Sequence, residues 1–171
     1  MTTAHDPINA ATAEHAAVLL KRCCGSTRWV ERMLEHRPFA SDAALHHAAD
    51  VTWTDLDRRD YLEAFTHHPR LGEDMAKLRE RFATADWSAG EQSGVAAADE
   101  ATLEALRAGN LAYEERFGFV FLLCATGKGA HEVLAQLEVR MGNDPAVELR
   151  IAAAEQAKIT HLRLARLAPS G

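Results

Sequence analysis

Across 171 residues the chain uses 33 Ala and 19 Leu against only 8 Val and 3 Ile. Ala and Leu give up least on entering a helix, and the β-branched aliphatics that suit a pleated sheet are scarce. That imbalance predicts an all-α protein, and the breakers along the chain divide it into a single-domain bundle of about eight to nine helices. The domain is read over residues 1–171, with its core from about residue 10 to residue 167. A chain of this length can bury one real core and is too short for two comfortable ones.

Charge and apolar content narrow the function. Apolar residues make up 47% and charged residues 26%, an ordinary globular mixture that excludes a disordered chain. The longest apolar run, Phe117 to Ala125, is nine residues, about half of the ~18–20 that a membrane span needs. A net charge of −6 argues against a nucleic-acid partner. The three cysteines, Cys23, Cys24 and Cys124, are odd in number and two are adjacent, so no disulfide framework is expected. No signal-like segment opens the chain and no peroxisomal tripeptide closes it, which fits the reducing cytoplasm.

Breakers fall at helical intervals. Asn9 is read as the cap of a helix over 10–23, Ser26 as the cap of a second running to Arg37-Pro38, and Ser41 as the start of a third that buries Ala44, Leu45, Ala48 and Val51. Thr54 or Asp55 begins a fourth, with Leu56, Tyr61, Leu62 and Phe65 on its apolar side, halted by His68-Pro69. A short helix is expected over 74–82 and a connector over 84–87, then a pair of helices over 89–98 and 99–116. Residues 117–127 read as a buried, partly extended or distorted stretch. A helix over 129–141, a stop at Gly142-Asn143-Asp144-Pro145 and a final helix from Ala146 to about Leu167 complete the series. The final helix is expected to show Val147, Ile151, Ala154, Ile159, Leu162 and Leu164.

Nine histidines raise the question of metal. Neither His46-His47 nor His67-His68 has zinc-ligand spacing, and no Cys/His cluster occurs, so no metal is expected. Thr126-Gly127-Lys128-Gly129 lacks both the upstream Gly and the Ser/Thr of a phosphate-binding loop. No serine elbow and no activated cysteine is evident.

Two segments stand out instead. In His67-His68-Pro69-Arg70-Leu71-Gly72, an imidazole sits where proline stops a helix. It is suited to general acid/base work, or alternatively to the helix dipole alone. In Trp87-Ser88-Ala89-Gly90-Glu91-Gln92, Ser88 and Glu91 have capping-box spacing. The surrounding small residues equally admit a ligand to the amides of a helix start, with Gln92 offering both a donor and an acceptor. Arg163, between Leu162 and Leu164, either points inward toward an anion or carbonyls or is solvated.

These segments, with Tyr113 through Phe117-Gly118-Phe119-Val120-Phe121 and Lys158-Ile159 through Arg163-Leu164, occur in an order that resembles the OHCU decarboxylase family (2-oxo-4-hydroxy-4-carboxy-5-ureidoimidazoline decarboxylase). The resemblance covers roughly residues 10–167. It implies an all-α homodimer that uses neither metal nor organic cofactor and forms S-allantoin from the ureidoimidazoline in urate degradation. It also implies His68 as the catalytic histidine and Glu91 as its acidic partner. Pro69, Ser88, Gln92, Phe119 and Arg163 fall on substrate-binding positions. The alternatives are another enzyme of ureide metabolism and a non-catalytic helical binding module, in which Ser88 and Glu91 only cap a helix.

Overall fold

The computed structural model describes residues 3–68, 75–76, 92–125 and 128–168, with residues 92–99 described by backbone alone. Among the described residues there are eight helices and no strand. They are α1 (His5–Ala10), α2 (Ala13–Cys23), α3 (Thr27–Glu35), α4 (Asp42–Thr54), α5 (Arg58–Phe65), α6 (Gln92–Phe117), α7 (Ala130–Arg140) and α8 (Pro145–Ala165). The all-α expectation holds. The chain divides into two compact units, Met1–His67 with Ala153–Gly171, and His68–Ala152.

In the first unit, helix starts follow side chains that accept from otherwise unpaired amides. Ser26 accepts from the Trp29 N–H and Ser41 from the Ala44 N–H, as the sequence predicts. Asn9 does not cap. A short α1 precedes α2, Thr12 accepts from the His15 N–H, and the Asn9 amide bonds the Phe39 backbone in both directions at 2.8 Å. The fourth predicted helix also starts late, at Arg58. The Thr54 hydroxyl closes α4 by bonding the Asp50 carbonyl, and Asp57 forms a reciprocal capping box with Asp60.

The core of this unit is built on Trp29, Leu20, Met33, Leu45, Phe65 and Leu164, all fully buried. The Trp29 indole donates to the Ala49 carbonyl at 3.2 Å and the Trp53 indole to the Ala153 carbonyl at 2.9 Å. Both large rings thereby bury area without orphaning their N–H groups. The inward face of α4 is Leu45, Ala49, Thr52 and Trp53, whereas Val51 is 52% exposed. On α8 the prediction shifts similarly. Ala152, Ala153, Glu155, Gln156, Thr160 and Leu164 are buried, and Val147 and Leu162 are exposed. Hydropathy misled because this face is partly polar. Gln156 donates to the Thr160 hydroxyl, which donates to the Cys23 carbonyl, so the polar atoms are matched inside.

In the second unit, the pair of helices expected over 89–98 and 99–116 is one helix, α6, over its described length. Ala96–Ala98, Ala101 and Leu103 contain no breaker that would end it. Gly118 then terminates α6. It has φ +82°, and its N–H bonds the Glu114 carbonyl at 2.8 Å. Residues 119–125 are neither helix nor strand, as expected for this stretch. Gly129 precedes α7, and Pro145 opens α8 after the Gly142–Asp144 stop, as predicted. Of the helix predicted over 74–82, Met75 and Ala76 are helical; the rest, the 84–87 connector and residues 89–91 lie outside the described residues.

Gly118→Ala should destabilise the chain by about 1–2 kcal/mol through its left-handed backbone, with Gly118→Asn recovering part of the loss. Urea unfolding of the two variants measures the difference, and an alanine variant as stable as wild type contradicts it.

Candidate active site

The segment carrying His68 is defined by how α5 ends. The Thr66 N–H bonds the Leu62 and Glu63 carbonyls, its hydroxyl donates to the Glu63 carbonyl at 2.6 Å, and the His67 N–H bonds Ala64. The two adjacent histidines then take different surroundings. The His67 ring lies against Gly25, where a Cβ would come within 2.3 Å of its Cδ2, so this close approach requires glycine. His67 is otherwise exposed, while His68 is half-buried and is the first residue of the second unit.

The remaining candidates are distributed as follows. Phe119 is buried in the second unit, at 7% exposure. Its ring meets that of Tyr113 edge-on at 5.9 Å and Phe117 at 6.2 Å. Gln92 is the first residue of α6, and its side chain is outside the description. Pro69, Ser88 and Glu91 lie outside the described residues, as does the Thr126-Gly127 pair. Arg163 belongs to the first unit, half-buried on α8, and its Nη1 donates to the Arg22 carbonyl at 3.4 Å. Beside it, burial pushes the Cys23 and Cys24 thiols up to about 12, and the Arg163 charge offsets that only in part. Neither is a thiolate nucleophile near neutral pH.

Sequence reasoning missed a polar cluster in the second unit. Arg140 and Glu148 form an ion pair whose side chains are 4% and 0% exposed, and the Tyr113 hydroxyl donates to the same carboxylate. Glu148 lies in the first turn of α8, where a carboxylate also suits the helix dipole on an exposed surface. Nothing in the linear pattern marks it as buried.

Among the described residues no group of three His, Cys, Asp or Glu is placed to hold an ion. What the first unit contains is an imidazole pair. His46 and His161 share a bond between their Nδ1 atoms, their rings stack at 4.7 Å, and His161 Nε2 reaches Asp50 at 2.7 Å. Burial, and then the neighbouring His161, hold His46 below its ordinary value, against the pull of Asp42 and Asp50.

Comparison with known proteins now bears on this arrangement. A crystal structure of (S)-allantoin synthase superposes with a TM-score of 0.71 over 96% of this chain and 54% of its own, at 20% identity, and shares the fold. A crystal structure of an OHCU decarboxylase determined in the presence of (S)-allantoin superposes with a TM-score of 0.71 at 34% identity, covering 92% of this chain and 98% of that one. The uric acid degradation bifunctional protein of Arabidopsis thaliana is 40% identical over 149 residues, 86% of this chain and 45% of that protein. The 2-oxo-4-hydroxy-4-carboxy-5-ureidoimidazoline decarboxylase of Amia calva is 39% identical over 57% of this chain and 55% of its own length. The corresponding decarboxylase of Haloferax volcanii is 31% identical over 80% of this chain and 79% of its length. The chain thus spans about half the length of the first two relatives.

The fold and these likenesses place the chain among the all-α relatives of OHCU decarboxylase. The family model for OHCU decarboxylase matches residues 9–165, and the chain belongs to that family.

A base whose pKa is depressed by folding binds protons more readily in the unfolded chain, so stability falls as pH drops through the unfolded value of about 6.5. His46→Gln is therefore expected to flatten the fall in Tm between about pH 7.5 and pH 5. Calorimetry at those pH values checks it, and parallel wild-type and variant curves would contradict it.

Proposed function

We propose that this chain decarboxylates 2-oxo-4-hydroxy-4-carboxy-5-ureidoimidazoline to S-allantoin in urate degradation, with His68 as general acid/base. The observation that carries the reading is the family match over residues 9–165, joined by likeness to an OHCU decarboxylase determined in the presence of (S)-allantoin. The half-buried His68 just past α5 is consistent with an imidazole kept partly out of bulk water.

The chemistry asks little beyond placement. The bond between the ring carbon and its carboxylate breaks, carbon dioxide leaves, and the electron pair forms a C=C bond to the neighbouring ring carbon as the C=N pair moves onto the ring nitrogen, which takes up a proton. The resulting enol takes one proton on the neighbouring ring carbon while its hydroxyl gives one up and becomes the carbonyl. The substrate carries its own electron sink, so the reading assigns no metal and no organic cofactor. His68 moves the proton to one face, which makes the product a single enantiomer. Glu91 orients the imidazole. Ser88, Gln92 and Arg163 hold the ureido and ring carbonyl groups, and Pro69 and Phe119 line the pocket. A salt bridge from Arg163 to the departing carboxylate is not assigned, because it would stabilise the ground state that must be lost.

Among the described residues no helix is long and apolar enough to cross a membrane. The same reading places the protein in the cytoplasm as a homodimer, which sedimentation equilibrium tests directly. With substrate generated in situ from urate, His68→Asn should lower the rate of S-allantoin formation by roughly 10²–10⁴-fold while helicity and Tm stay at wild-type values. Circular dichroism follows the product. A variant within a few-fold of wild type would remove His68 from the mechanism.

A further inference from the structure

Residues 118–122 form an arch with no helix or strand to hold its backbone, yet it is pinned at both ends. At one end the Gly118 N–H bonds Glu114 at 2.8 Å. At the other, Arg140 Nη1 donates to the Leu122 carbonyl at 2.6 Å. Between them, Tyr113 meets the arch edge-on, with ring centroids 5.9 Å from Phe119 and 5.1 Å from Phe121, and the Arg140 guanidinium lies 4.6 Å over the Phe121 ring.

Arg140 is in turn aimed by Glu148. Its Nε and Nη2 reach Glu148 Oε1 at 2.6 and 2.5 Å, the Tyr113 hydroxyl donates to that oxygen, and Asn143 Nδ2 donates to Oε2 at 3.0 Å. Burial, and then the bond to Glu148, push the Tyr113 hydroxyl well above its ordinary value, so it stays a donor. All of these residues lie in the second unit. A buried ion pair is weak evidence of added stability, because well-packed apolar residues often do as well. Its fork geometry does what an apolar pair cannot: it fixes a backbone carbonyl in a segment without a hydrogen-bond ladder.

We propose that Tyr113, Arg140 and Glu148 are positioning residues that hold the 118–122 arch so that Phe119 forms a fixed wall of the substrate pocket. The inference rests on the decarboxylase reading for the pocket, and on the observed bonds alone for the arch. Lysine at 140 keeps a charge but cannot bond the carboxylate through two nitrogens while also holding Leu122. Phenylalanine at 113 removes only the hydroxyl.

The test uses the full chain, at a temperature where every variant is folded. Arg140→Lys and Tyr113→Phe should each raise KM about tenfold with kcat within roughly threefold, as expected when a binding wall loosens. Amide hydrogen exchange over 118–125 should accelerate in the same variants. Val133→Ala, a buried α7 residue outside the polar cluster, should lower Tm yet move neither readout. If Arg140→Lys does not fold, Tyr113→Phe alone decides. Unchanged exchange over the arch overturns the proposal, and so does faster exchange with unchanged KM. A wild-type chain that forms no S-allantoin overturns the decarboxylase reading instead, and the exchange data still decide whether these residues fix the arch.

Discussion

The buried pair of Arg140 and Glu148 is the constraint on which the second unit is organised. Two charges withdrawn from water are tolerated only when every donor and acceptor around them is engaged. Here the guanidinium is shared between the carboxylate and the Leu122 carbonyl, while the carboxylate also accepts from Tyr113 and Asn143. One pair therefore joins the body of α6, the end of α7, the start of α8 and the irregular segment between α6 and α7. Removing either partner would strand a buried charge, which typically costs about 3–5 kcal/mol. The aromatic rings of Tyr113, Phe117, Phe119 and Phe121 fill the space around it, and the Arg116 bond to the Asn143 carbonyl ties the end of α6 to the same stop before α8.

The first unit is organised by other means. Helices α2 to α5 begin at side-chain caps, and its two buried tryptophans donate to backbone carbonyls, so that packing and polar satisfaction coincide. The absence of a side chain at Gly25 lets the His67 ring lie directly on the backbone there, and the neighbouring histidine begins the second unit.

Where the sequence could be read, it was read through local chemistry. Ser26, Ser41 and Pro145 act within a few residues of themselves, satisfying or omitting amides at a helix start, and they stand where expected. Asn9 fails the same reading because an amide side chain serves a distant backbone pair as well as a near one, and Phe39 is 30 residues away. The inward face of α8 fails because Glu155, Gln156 and Thr160 are buried with partners that hydropathy does not reveal. For the candidate site, motifs alone point to His68, Phe119 and Arg163. The rings that Phe119 meets, Tyr113 and Phe117, are decided by folding.

Composition and breakers were enough to determine an all-α chain, and ordered motifs were enough to determine its family, because both depend on residues near one another in sequence or on a pattern retained along it. The pairing of Arg140 with Glu148, the hold of Arg140 on Leu122 and the seat of the His67 ring on Gly25 were decided by the tertiary structure. Each depends on the distance between groups brought together by folding, and on how much water is excluded around them. Neither quantity has a counterpart in the linear order of residues.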